Sequence, residues 1–177
     1  MTSNQKQYAL LLSLVAVVVA FALWTASRAP ELQIEIPQGV NVIQAADMRL
    51  TTDQGTVMVG ESTSQEVAAL FPAGKTLGMS TVYYDQSRGC TFTFTKLDKL
   101  KVMHIENPAL MTARGIKVGD PFDPAVTDAY GPNYGYAKKP GASGDIDAAY
   151  GNNDGGVIFQ VRDNIVTKII LQKEPPR

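Results

Sequence analysis

The chain has 177 residues, 16 basic and 17 acidic side chains, a formal net charge of −1, one histidine and one cysteine. Interspersed charge of both signs excludes the basic footprint of a nucleic-acid-binding protein, and a lone Cys90 excludes an internal disulfide. The core must therefore hold without covalent staples.

No side chain from Gln7 to Ser27 is charged, and Tyr8 to Trp24 is apolar except for Ser13. At ~1.5 Å per residue this stretch predicts a helix of ~31 Å, against a bilayer core of ~30 Å. With Tyr8 and Trp24 as interfacial rings, residues 8–24 are expected to anchor the chain as a single-pass membrane protein. The alternative is a signal peptide cut near Ala20-Phe21-Ala22. Lys6 against Arg28, Glu31 and Glu35 gives a nearly balanced orientation signal, and the short leading tail favours an extracytoplasmic C-terminal domain. No cysteine lies near the apolar stretch, so a lipoprotein anchor is excluded. Since Lys6 is the only charged side chain before Arg28, the remainder carries 15 basic and 17 acidic groups, net −2.

Residues 28–55 read as a spacer interrupted by Pro30, Pro37 and Gly39, with a short strand over Leu32, Ile34 and Ile36. The remaining sequence repeats itself. Val57-Met58-Val59-Gly60-Glu61 returns as Ile116-Lys117-Val118-Gly119-Asp120 at an offset of 59, and Gly89-Cys90-Thr91-Phe92-Thr93-Phe94 as Gly156-Val157-Ile158-Phe159-Gln160-Val161 at an offset of 67. Pro108 then falls on Pro175, so the second copy carries eight extra residues. The repeats span 56–108 and 109–177, behind a tail and anchor at 1–27.

Each repeat reads as a short helix followed by three strands. Val67, Leu70 and Phe71 share one helical face in the first copy, as do Val126, Ala129 and Tyr130 in the second. Asp123 before Pro124 predicts the second N-cap and Gly131 the stop; Ser64 or the Thr63/Glu66 capping box starts the first. Thr91 to Thr95 alternates with Phe92 and Phe94 on one face, and Val157, Phe159 and Val161 repeat it. Turns at Lys96-Leu97-Asp98-Lys99 and Asp163-Asn164 lead to strands Leu100 to Ile105 and Ile165 to Leu171. A further strand is expected at Met79 to Tyr84 and at Asp147 to Tyr150. The fold class is α+β, a transmembrane helix followed by two tandem helix-plus-antiparallel-strand repeats forming one domain.

The run Thr112-Ala113-Arg114-Gly115-Ile116-Lys117-Val118-Gly119-Asp120, followed by Val126 and Tyr130-Gly131, resembles a motif of bacterial cell-envelope proteins. The doubled helix-and-strands arrangement resembles the tandem fold of the β-lactamase inhibitor proteins, and the single unit is similar to the small lipoprotein of the outer-membrane β-barrel assembly machinery. That resemblance implies a concave sheet or exposed loops that grip another protein.

Little in the sequence points to catalysis. His104 has no partners at metal-ligand spacing and aligns with Leu171 on a strand. Cys90 shares the face of Phe92 and Phe94 and reads as a small buried hydrophobe. Asp145, Asp147 and Asp154 around Gly151-Asn152-Asn153 depart from a calcium-loop pattern, and turn formation accounts for them. No catalytic residue, metal or cofactor is expected.

The eight extra residues fall between Gly131 and Gly151, a stretch with three tyrosines. Tyr134, Tyr136, Lys138, Lys139 and Tyr150 are the candidate partner-binding residues, because tyrosine supplies contact area at low entropic cost. The bland alternative is that these rings pack over the helix. The expected function is a membrane-anchored, extracytoplasmic, non-enzymatic binding module for a protein or cell-wall partner. A structural accessory subunit acting through its anchor is second, and a hydrolase with an unrecognised site third.

Overall fold

Alternation of apolar and polar residues builds an eight-stranded antiparallel sheet in the computed structural model, which describes residues 43–138, 145–152 and 155–173. A single 3₁₀ turn, Ala45–Met48, precedes a two-stranded hairpin of β1 (Arg49–Thr52) and β2 (Gly55–Met58). The first helix is Ser64–Leu70. Strands β3 (Lys75–Thr76), β4 (Val82–Asp85), β5 (Cys90–Phe94) and β6 (Leu100–Ile105) follow. A helical turn over Phe122–Val126 runs into a second helix, Thr127–Tyr130, and then into β7 (Gly135–Lys138), β8 (Ile146–Asn152), β9 (Gly155–Arg162) and β10 (Ile165–Gln172).

The strand order is β3-β4-β5-β6-β10-β9-β8-β7. Two four-stranded meanders, one from each repeat, are joined through their last strands. Along that seam Ile105 faces Ile169, His104 faces Ile170 and Met103 faces Leu171. Equivalent contacts recur on both sides. Phe71 at the end of the first helix packs on Phe92 with ring centroids 4.7 Å apart, and Tyr130 packs on Phe159 at 5.1 Å. Gly60 donates its N–H to the Leu100 carbonyl at 2.6 Å, and Gly119 donates to Val166 at 2.8 Å. Both glycines have φ near +90°, a backbone region that favours glycine. The repeated Val-Gly-acid motif thus clips the segment before each helix to the final strand of its own repeat.

Both helices bury the expected faces. Val67, Phe71, Val126 and Tyr130 are fully buried, and Leu70 packs against the core from a half-buried position. Thr63 is the first N-cap, its hydroxyl accepting from Glu66 N at 3.3 Å while Glu66 accepts from Thr63 N at 2.7 Å. Asp123 is extended (φ −110°, ψ 122°) and its carboxylate accepts from the Thr127 hydroxyl at 3.0 Å, not from a helical amide.

The α+β expectation is corrected. Among the described residues the fold is mostly β-sheet, 43% strand against 17% helix. The helices are cut short, the second to four residues between Val126 and Gly131, whose φ is 88°. The β1–β2 hairpin, β3 and β7 add strands where the sequence carries no clear alternation. Part of the expected spacer, residues 43–55, is folded into the domain, with Leu50 fully buried.

The membrane assignment is also corrected. Among the described residues no helix is long and apolar enough to cross a membrane. The seven-residue first helix would span ~10 Å of the ~30 Å required. Residues 8–24, on which the anchor and the extracytoplasmic location rested, lie outside the described residues, as do the expected strand at Leu32 to Ile36 and Asp154. The single-pass assignment is not carried further.

A buried ion pair ties the start of the domain to the second repeat. Arg114 donates through Nε to Asp47 Oδ1 and through Nη2 to Asp47 Oδ2, each at 2.8 Å, with both side chains fully buried. Arg114 Nη1 donates to the Ala129 carbonyl at 2.9 Å, and the guanidinium lies 4.5 Å from the centre of the Tyr130 ring. Asp47 Oδ2 also accepts from Gln44 N at 2.9 Å. Removing one partner strands a buried charge, so Asp47→Ala and Arg114→Ala should each destabilise the fold by ~3–5 kcal/mol in urea denaturation. The double substitution should cost less than the sum of the two.

Candidate functional site

The same alternation that fills the core leaves the other face of the sheet uncovered among the described residues. Phe92, Met103, Leu171 and Phe159 point into the core, so their neighbours point the other way. Two rows cross the strands. Val82, Thr93, Val102 and Gln172 are successive register partners, and so are Tyr84, Thr91, His104, Ile170, Ile158 and Ala149. The members on β4, β5, β6 and β10 are half-buried, while Ile158 and Ala149 are buried. The centre of this face is neutral. Charge stands at one flank, where Lys168 pairs with Glu106, and Arg162 meets Asp147 at 3.2 Å and Asp145 at 3.4 Å.

His104 lies in the second row, opposite Thr91 on β5 and Ile170 on β10. The β9–β10 turn is one residue shorter than the β5–β6 turn, since Phe94 pairs with Leu100 but Val161 with Val166. Its counterpart in the second repeat is therefore Ile170, not Leu171. Burial holds its imidazole below the usual histidine range, helped by the Lys168 ammonium and opposed by Glu106. Cys90 faces the core, and burial pushes its thiol up to about 12. Because Cys90 pairs with Ile105 while His104 pairs with Thr91, the thiol and the imidazole are on opposite faces of the sheet. They cannot act as a nucleophile and base on one substrate.

The tyrosine-rich insertion divides. Tyr150 is fully buried, donates its hydroxyl to the Gly131 carbonyl at 3.0 Å and packs against Tyr130 and Phe159. Tyr134 is half-buried between Phe122 at 5.0 Å and Tyr136 at 6.0 Å. Only Tyr136 is exposed, at 58%. It stands on β7, an edge strand that also carries Lys138. Lys139 lies outside the described residues. Asp145 and Asp147 turn to Arg162, so a guanidinium already occupies the place considered for calcium. Among the described residues no group of three His, Cys, Asp or Glu side chains could hold a metal ion.

Sequence reasoning anticipated this face in part, since Thr91 and Thr93 alternate with the phenylalanines. It missed the contribution of β10, whose pairing with β6 no local pattern announces.

No family model matches the chain, and no curated protein matches it. Among solved structures the chain is similar to a DUF4309 family protein (YjgB) from Bacillus subtilis subsp. subtilis str. 168. The match has 15% identity and a TM-score of 0.45, and covers 66% of this chain and 82% of that one. At that level the likeness carries no functional assignment. The comparisons bring in neither a β-lactamase-inhibitor-like nor a lipoprotein-like family.

A histidine whose folded pKa is depressed makes the unfolded chain take up its proton first on acidification. Stability should therefore fall as pH drops below ~6.5, until the folded imidazole is also protonated. His104→Gln should flatten this part of the profile. Thermal unfolding of both proteins between pH 7.5 and 5.5 checks it, and parallel profiles would assign the pH dependence to other groups.

Proposed function

We propose that this domain is a non-enzymatic binding module that receives a protein partner on the uncovered face of its sheet, with Tyr136 extending the surface at the β7 edge. The single observation that carries the reading is the neutral, half-buried pair of rows crossing β4, β5, β6 and β10. Val82, Tyr84, Val102 and Ile170 offer apolar area there, and the threonines offer short hydroxyls. A rigid sheet presents these groups without the ordering cost of a loop, which favours affinity. Tyr134 and Tyr150 support the edge from beneath by packing, so their role in this reading is positional.

A photoreactive residue placed at position 104 should crosslink to the partner protein in the cells that make the chain. Val102→Arg/Ile170→Arg puts two charges at the centre of the face while leaving the covered face intact. It should weaken binding by roughly tenfold or more with little change in thermal stability. No crosslink from position 104, or unchanged affinity in a folded arginine variant, would remove this face from the reading. A crosslink from position 136 alone would move the site to the β7 edge.

A further inference from the structure

At one end of the sheet, four lysines line a single groove. Lys96 and Lys99 come from the β5–β6 turn, Lys101 from the start of β6, and Lys173 from the residue after β10. The groove has a volume of about 500 Å³, and its other described lining residues are Gly60, Thr93, Phe94, Thr95 and Leu100, with no carboxylate. In a chain whose net charge is −1, this is a concentrated positive site.

Backbone pairing brings the four together. Lys173 N donates to the Lys101 carbonyl at 3.0 Å, so the end of β10 is held beside β6. Gly60 forms the floor, and a Cβ there would stand 3.1 Å from Lys173 Cδ. Glycine therefore leaves room for the lysine stem. Lys99 Nζ donates to the Glu61 carbonyl at 2.9 Å, which uses one of its three donors. Two carboxylates stand nearby: Asp98 accepts from Ser64 N at 3.2 Å, and Glu66 accepts from Thr63 N while attracted to the Lys99 ammonium.

The second repeat shows that the scaffold does not need these lysines. Where the first has Lys96, Lys99 and Lys101, the matching places along the β9–β10 hairpin hold Asp163, Ile165 and Thr167. The backbone clip is the same, and a Cβ at Gly119 would meet nothing within 4 Å. The two copies share a fold, and only one concentrates cations.

We infer that this groove is a binding site for a multiply charged phosphoryl anion. Ammonium groups are compact point charges that suit phosphate oxygens arriving from several directions. Planar, bidentate carboxylate recognition favours arginine, and the described lining has none. The groove borders the open face and shares Thr93 with its first row, but the phosphoryl reading is argued from the lysines and stands without the protein-partner reading given above.

The test is calorimetric titration of the full chain, kept in nonionic detergent on account of its apolar N-terminal stretch, at low salt. Three probes are compared: tripolyphosphate, the soluble headgroup glycerophosphoglycerol, and citrate. Tripolyphosphate should bind, with affinity falling as salt rises. Lys96→Glu/Lys99→Glu should weaken it at least roughly tenfold, and Lys75→Glu/Lys117→Glu, the same charge change elsewhere, should weaken it far less. Lys173→Glu gives the same readout if the double variant unfolds. Headgroup binding with the same lysine dependence would support the site with a lipid as the phosphate source. Equal weakening in both double variants, citrate binding as tight as tripolyphosphate, or no binding of either phosphate probe would overturn the proposal.

Discussion

The antiparallel seam between β6 and β10 turns two small meanders into one sheet, and the rest of the molecule depends on it. Four strands with one short helix offer a limited core, whereas the joined sheet buries Phe92, Met103, Ile105, Phe159, Ile169 and Leu171 in a continuous layer. Register along the seam is held by the side-chain pattern. Shifting β10 by one residue would carry Ile169 and Leu171 to the open face and bring Ile170 and Gln172 into the core, exposing two apolar groups and burying an amide. The seam also determines what lies on the surface. It places His104 beside Ile170 and draws Lys173 next to Lys101.

The buried Asp47–Arg114 pair works at a different level. Two charges removed from water carry a large desolvation cost, offset here by a bidentate contact, the Gln44 amide, the Ala129 carbonyl and the Tyr130 ring. All these partners are available only when the opening 3₁₀ turn, the Thr112 to Gly119 segment and the end of the second helix meet together. An apolar pair of similar volume could fill the space, but it would not demand one arrangement. The pair thus acts as a positional key, closing the N-terminal hairpin over the second repeat.

Strongly alternating segments were legible. The strand from Leu100 to Ile105 has the expected limits, and Phe92 and Phe94 are buried opposite the threonines. Val67 and Phe71 face the core as their helical spacing requires. The β1–β2 hairpin was not legible because Thr51, Thr52 and Thr56 are polar at both registers, and β3 is only two residues long. The one-residue difference between the hairpin turns escaped a constant offset and displaced the counterpart of His104. The Asp47–Arg114 pair spans 67 residues and has no local signature. Helical spacing was correctly read and Gly131 ends the second helix as expected, yet helix content was overstated because Asp123 is extended and that helix begins only at Thr127.

Duplication gives a way to separate scaffold from specialisation within one chain. Where the copies agree, in the Phe71–Phe92 and Tyr130–Phe159 pairs and the Gly60 and Gly119 clips, the shared feature serves packing. Their differences fall in two places. The insertion of the second copy buries Tyr150 and half-buries Tyr134, leaving only Tyr136 of its three tyrosines exposed. In the first copy, the hairpin turn gathers lysines around a groove, and the matching places of the second copy hold none. A fold that stands equally well with Asp163, Ile165 and Thr167 in those places has no structural requirement for Lys96, Lys99 and Lys101. The divergence between the copies therefore points more directly to chemistry than the conspicuous tyrosine-rich loop, most of whose aromatic surface is spent on the core.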